Sequence, residues 1–129
     1  MGRAIIMHID QAPWVRGGPP GEGEHPEGGG QLIGDLEQGP WVHVNWLPPG
    51  FAAPSHSHDV DEVMYVLEGG LSMGERECGP GTVVYIEAGT LYSFAVGDAG
   101  VRFLNIRSGL ARYAEQGRAA IDPYADTTP

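Results

Sequence analysis

The chain contains no lysine, and its seven basic residues are all arginine. Without lysine it can form neither a Schiff base nor a P-loop, so both kinds of chemistry are excluded. Against these seven stand 17 acidic residues, which give a formal net charge of −10. An acidic chain without basic clusters argues against binding to nucleic acid or to an anionic membrane. We therefore expect no nucleic-acid partner and no membrane partner.

Cysteine and long apolar runs are also scarce. Cys78 is the single cysteine, so no internal disulfide can form, and we predict a cytoplasmic protein. The longest apolar run is far shorter than a membrane span. The segment that begins at Met1 lacks the apolar core of a signal peptide.

Glycine and proline are abundant, with 21 and 11 residues among 129. This abundance predicts short elements joined by many turns. Runs rich in β-branched and aromatic residues predict strands over 4–9, 31–36, 41–47, 63–68, 71–73, 82–86, 91–96 and 101–107. Their regular spacing, with turns such as those at 69–70 and 97–100, indicates an all-β antiparallel sandwich or barrel. Only the segment from Leu110 to Ala120 has the composition of a short helix.

The chain divides into three parts. Residues 1–30 hold an N-terminal strand and a loop rich in proline and glycine, residues 31–108 form the β-barrel, and residues 109–129 form a C-terminal segment and tail. The loop from Gln11 to Gly30 cannot bury much surface by itself. Its composition leaves open whether it covers the pocket or a partner subunit.

Candidate metal ligands lie between residues 50 and 62. His56 and His58 are one residue apart and point the same way on an extended strand, and Glu62 follows at the head of an apolar run. Two imidazoles and one carboxylate form a facial triad that leaves metal coordination positions open. We predict that they hold one divalent transition metal per chain, which could be Fe, Mn, Ni, Zn or Cu. The alternative is a hydrogen-bonded polar cluster without metal.

The spacing of these residues resembles a known family. Residues 50–69 resemble the first signature of the cupin superfamily in the pattern Gly50-x5-His56-x-His58-x3-Glu62-x6-Gly69. Residues 81–92 resemble the second signature in the pattern Gly81-x5-Glu87-x-Gly89-x2-Tyr92, in which tyrosine replaces the usual histidine. The resemblance implies a jelly-roll barrel (a double-stranded β-helix) of small single-domain type. It also implies a metal inside the barrel and a homodimer.

Tyr92 allows three interpretations. It could ligate the metal as a fourth ligand, act as a proton donor or acceptor for a bound substrate, or form part of the pocket wall. We favour the last two over direct ligation, because the pKa of a phenol lies near 10 and the metal would have to displace its proton.

Strand alternation predicts the rest of the pocket. Met64 shares the face of Glu62, and Phe94 shares the face of Tyr92. In the strand over 41–47, either His43 and Asn45 or the residues between and beside them line the cavity.

The resulting prediction is a metal-dependent enzyme that acts on a small organic molecule through an open 2-His-1-Glu centre. The resemblance implies a reaction of oxygenase, isomerase, lyase or cyclase type, since related cupins include dioxygenases, isomerases and polyketide cyclases. A non-catalytic cupin that binds or senses a small ligand is the alternative.

Overall fold

The computed structural model describes residue 2 and residues 4–34, 40–108 and 113–115. A turn of 3-10 helix spans Ile9–Gln11 and is followed by β1 (Trp14–Arg16), β2 (Gly29–Gly34), β3 (Trp41–Leu47), β4 (Ala52–His58), β5 (Glu62–Met73), β6 (Arg76–Cys78), β7 (Val83–Ile86), β8 (Tyr92–Arg107) and β9 (Tyr113–Glu115). All strand pairs are antiparallel among the described residues. The all-β class predicted from the sequence is confirmed.

Strand β8 is the centre of the sheet. On one edge its first residues pair with β4 and its last residues pair with β3. On the other edge it pairs with β5, from Glu62 opposite Arg107 to Ser72 opposite Ala95. Its 16 residues would extend about 50 Å if straight, yet its two terminal side chains contact the same carboxylate. The strand therefore curls around the barrel.

The hydrophobic core lies inside this curl. Its buried members come from five strands and comprise Leu47, Met64, Val66, Leu71, Met73, Cys78, Ile86, Tyr92, Val96, Val101 and Phe103. Burial on β5 follows the period of two that a strand with one inner face requires, since Glu62, Met64 and Val66 are buried while Val63 and Tyr65 are not.

Three local predictions are wrong. Residues 4–8 form no strand, and the helical turn that follows is capped by the side chain of His8, which accepts a hydrogen bond from Asp10 N. The turns expected at 69–70 and 97–100 lie within β5 and β8, which continue past these glycines with shifts in register. Paired glycines therefore mark irregularities inside long strands here, as β-bulges commonly do.

The ends of the chain also depart from expectation. The loop over 11–30 contains β1, which pairs with β2. The helix predicted over Leu110–Ala120 is wrong at residues 113–115, which form β9 and pair with His56–His58 of β4. This pairing satisfies backbone hydrogen-bonding groups at the edge of β4. The other residues of that expected helix lie outside the described ones. No helix in the described residues is long and apolar enough to cross a membrane.

The backbones of β5 and β8 approach each other closely at Gly69. Its φ is 69°, and a Cβ added there would lie 2.0 Å from the carbonyl oxygen of Gly100. Because both the conformation and the contact exclude a side chain, we expect Gly69→Ala to lower the free energy of unfolding by about 2–4 kcal/mol. Gly79→Ala is the matched control, since no atom lies within 4 Å of its Cβ position. Equal urea midpoints for the two variants would contradict this account.

Candidate functional site

A cavity of about 410 Å³ lies inside the barrel. Its wall contains Arg16, Glu27, His43, Asn45, Leu47, Phe51, Ala53, Pro54, His56, His58, Met64, Tyr92, Phe94, Phe103, Asn105 and Arg107. The structure thus places the predicted pocket residues Met64, Phe94, His43 and Asn45 in the lining of this cavity, together with both motif histidines and Tyr92. Glu62 lies outside this set and is only 1% exposed.

The Glu62 carboxylate accepts hydrogen bonds from three side chains. Tyr92 Oη donates to Oε1 at 2.5 Å. Asn105 Nδ2 and Arg107 Nε both donate to Oε2, each at 2.9 Å. Glu62 and Arg107 therefore form an ion pair in which the arginine side chain is 17% exposed and the glutamate 1%. Both carboxylate oxygens are occupied by donors.

Strand register explains why these groups meet. Glu62 of β5 lies directly opposite Arg107 of β8, so the two side chains leave the sheet on the same face. Asn105 lies two residues before Arg107 and shares that face. Tyr92 reaches the carboxylate from the other end of β8, because the strand curls.

These contacts set the pKa of Glu62. Burial alone would raise it, but the Arg107 guanidinium and the hydrogen bonds from Tyr92 and Asn105 outweigh burial and hold the pKa below its usual value. Glu62 is therefore a carboxylate at neutral pH and a poor proton acceptor.

The two motif histidines have different environments. His56 Nδ1 lies 2.6 Å from the carbonyl oxygen of Pro54, an acceptor, so Nδ1 carries the proton and Nε2 is the basic nitrogen of the neutral ring. The His56 ring packs against Tyr92 with 4.2 Å between centroids. His58 instead has its Nε2 3.3 Å from Arg107 Nη2. The guanidinium, a donor only, thus faces the acceptor nitrogen of His58.

A metal centre requires ligand side chains that converge on one point. No three His, Cys, Asp or Glu side chains do so in the part of the chain that the structure describes. The carboxylate oxygens of Glu62 are already bound by donors, and Arg107 places a positive charge beside both Glu62 and His58. In this arrangement the residues do not fit a three-ligand metal centre. The metal site therefore stays a prediction.

The cavity lining also contains two charged residues, Arg16 and Glu27, that the sequence interpretation did not connect with the site. Arg16 comes from β1, inside the segment interpreted as a loop, and Glu27 precedes β2. His43 lines the same cavity, and its pKa is lowered to about 4 by burial, then by the charges of Arg107 and Arg16. No local motif marks Arg16, because its position depends on strand pairing that the sequence does not display.

Comparison with known proteins identifies the architecture. The family model described as "Cupin domain" matches residues 44–107. The chain belongs to the cupin superfamily. No curated protein matches this cupin. The membership of the cupin superfamily that the sequence predicts is confirmed.

Solved structures similar to this cupin agree on the fold. An RmlC-like cupin protein from Ralstonia eutropha has a TM-score of 0.66 at 18% identity, over 92% of this chain and 77% of the other. The polyketide cyclase RemF from Streptomyces resistomycificus has a TM-score of 0.67 at 22% identity, over 95% and 91%. A sugar phosphate isomerase of the cupin superfamily from Silicibacter pomeroyi has a TM-score of 0.68 at 22% identity, over 88% and 83%.

The Glu62–Arg107 pair should be essential for stability. Glu62→Gln removes the countercharge of a mostly buried guanidinium, so we expect it to lower the free energy of unfolding by about 3 kcal/mol. Adding Arg107→Met to this variant should restore part of the loss, because the buried charge is then gone. Glu68→Gln is the control, since Glu68 is 71% exposed and lies 3.7 Å from Arg102. That surface pair should contribute less than about 1 kcal/mol in urea titrations, and a similar loss in both single variants would refute the prediction.

His43 should make stability depend on pH. An unfolded histidine takes up its proton near pH 6.5, whereas His43 in the fold does so only near pH 4. Between these values the unfolded state binds more protons, so stability falls as the pH is lowered through this window. Because His43 is only partly buried, solvent screening limits the effect to about 1–2 kcal/mol.

The variant His43→Asn should remove this part of the pH dependence. The measurement is the difference in urea midpoint between wild type and variant across the window. His8→Asn is the control, because that side chain is 74% exposed. An unchanged pH slope in His43→Asn would contradict the assignment.

Proposed function

We propose that this cupin is an enzyme that binds a small organic molecule in the barrel cavity and catalyses a proton transfer on it. The supporting observation is the state of His56, whose Nδ1 is held by the Pro54 carbonyl so that Nε2 can accept a proton. His56 lines the cavity beside Tyr92. A fixed tautomer next to a hydroxyl in a water-accessible cavity is the arrangement that general base catalysis requires.

The roles follow from the contacts. His56 is the general base at Nε2. Tyr92 donates a hydrogen bond to Glu62, so toward a hydroxyl or enol of the substrate its oxygen would act as an acceptor. Glu62 and Arg107 orient Tyr92 and take no part in proton transfer, because Glu62 is held in its charged form. Isomerisation, elimination and cyclisation can each begin with removal of a proton by such a base.

A metal-dependent reaction, including the oxygenase type, is the second candidate. It would use His56, His58 and Glu62 as ligands, with or without Tyr92, and a single divalent transition metal. The observation in its favour is again the Nδ1 contact of His56, since metal-bound imidazoles commonly donate their other nitrogen to a backbone carbonyl. The contacts of Arg107 with Glu62 and His58 speak against it.

The homodimer implied by the family stays a prediction. The described surface carries an apolar face on which Val83 and Tyr85 of β7 are 61% and 63% exposed. Tyr65 pairs with Val83 in register and adds to the same face. Association through this face would cover it.

The experiment follows exchange of carbon-bound hydrogen with deuterated water by NMR, over a panel of keto acids, diketones and phenols. We expect exchange by the wild type, and a loss of about 10²–10⁴-fold in His56→Ala. Tyr92→Phe should slow exchange less, because it removes a hydrogen bond and not the base. His25→Ala is the control, since His25 lies outside the cavity wall. Saturable binding of a panel compound without exchange would favour a sensing cupin instead.

Metal analysis separates the two enzymatic candidates. Acid–base catalysis predicts far less than one transition metal per purified chain and no effect of chelators on exchange. About one metal per chain that is lost in both His56→Ala and Glu62→Ala would establish the metal centre and overturn the first candidate. A double variant, Tyr92→His with Arg107→Gln, adds an imidazole and removes the guanidinium. It should gain cobalt binding, which visible absorption reports.

A further inference from the structure

The Arg16 side chain reaches from β1 past Gly30 of β2 to Asn45 of β3, in the lining of the cavity. Arg16, Gly30 and Asn45 are successive register partners on β1, β2 and β3. A Cβ on Gly30 would lie 2.7 Å from Asn45 Oδ1 and 3.5 Å from Arg16 Nη2. The absence of a side chain on Gly30 therefore leaves the space through which Arg16 reaches Asn45.

The head of Arg16 is held by neutral oxygens. Its Nη1 donates to the backbone carbonyl of Glu27 at 2.8 Å, and its Nη2 donates to Asn45 Oδ1 at 3.2 Å. Arg16 forms no ion pair with the carboxylates that the structure describes, whereas Arg102 and Arg107 both do. The residue is exposed overall, but the head is partly desolvated, which lowers its pKa against a smaller opposing effect of Glu27. Among the described residues, the Arg16 guanidinium is thus held in place without a paired carboxylate.

Two of the seven arginines of the chain and one glutamate, Glu27, line the cavity, so positive charges outnumber negative ones in its lining although the chain is acidic. His43 lines the same cavity, and the charges that act on it are those of Arg107 and Arg16. The cavity lining also contains large apolar side chains, those of Leu47, Phe51, Met64, Phe94 and Phe103.

We propose that the cavity binds a small organic monocarboxylate, with its carboxylate on Arg16 and its apolar body against the phenylalanine side chains. A guanidinium recognises a carboxylate through paired N–H donors. A monoanion is favoured over a phosphate dianion, because Glu27 in the wall and Glu62 behind it would repel a second negative charge. The inference rests on the proposed function only in assigning this cavity to the substrate, and it makes Arg16 the residue that selects the substrate by charge.

Binding of benzoate, with benzamide as its neutral counterpart, tests the proposal by isothermal titration calorimetry on the full chain. We expect saturable binding of benzoate in the low millimolar range or tighter, and at least tenfold weaker binding of benzamide. Arg16→Gln should weaken benzoate binding about tenfold or more while leaving benzamide unchanged. Arg102→Gln is the matched control and should bind benzoate as the wild type does, because Arg102 is already paired with acidic side chains.

A second variant keeps Arg16 in place. Asn45→Asp is nearly isosteric and sets a carboxylate beside Nη2 of Arg16, so it should compete with the ligand and weaken benzoate binding about tenfold. Equal affinities for benzoate and benzamide, no benzoate binding, or unchanged affinity in both variants would overturn the proposal.

These measurements do not depend on turnover, so they fail separately from the proposed function. Charge-selective binding without hydrogen exchange would leave the carboxylate site intact and refute the enzyme. Hydrogen exchange confined to neutral substrates would support the enzyme and refute the carboxylate site.

Discussion

The buried carboxylate of Glu62 holds the barrel and the site together. Glu62 accepts hydrogen bonds from Tyr92 at the start of β8 and from Asn105 and Arg107 near the end of that strand. One side chain therefore connects the two ends of a 16-residue strand. A charge that is 1% exposed is tolerable only when hydrogen bonds and a countercharge replace its lost hydration. The curl of β8 brings these hydrogen-bond donors and this countercharge to Glu62, and the same contacts place Tyr92 beside His56 in the cavity wall.

This arrangement limits what the histidine motif can do. The spacing of His56, His58 and Glu62 suits a facial metal triad, but spacing does not show which charge neutralises the carboxylate. Arg107 already provides a full positive charge, 2.9 Å from one oxygen, and also contacts His58. A divalent cation at the same point would have to displace the guanidinium or lie beside it, and like charges at such short range repel strongly. Acid–base chemistry by His56 requires no such rearrangement.

The sequence could predict the features that depend on local pattern. Alternation along β5 put Met64 on the face of Glu62, and the motif spacing identified the family. Features that depend on pairing between strands far apart in the sequence could not be predicted from it. Arg16 enters the cavity because β1 pairs with β2 across Gly30, and residues 113–115 form a strand because β4 offers them an open edge. Glycine pairs within β5 and β8 resembled turns, because a bulge and a turn both require residues with unusual backbone conformations.

The charge of the chain and the charge of the cavity have opposite effects on an anionic ligand. A net charge of −10 repels an anion at long range, but at physiological ionic strength this repulsion is screened beyond about 8 Å. Inside the cavity the screening is weaker, and Arg107 and Arg16 are the charges that act on His43, so short-range attraction determines binding. The acidic surface then slows the approach of anions in general, while the fixed guanidinium retains those whose apolar part also fits the phenylalanine wall. Selectivity for a carboxylate can therefore arise in this acidic chain from one arginine, provided that its neighbours leave it without an anion of its own.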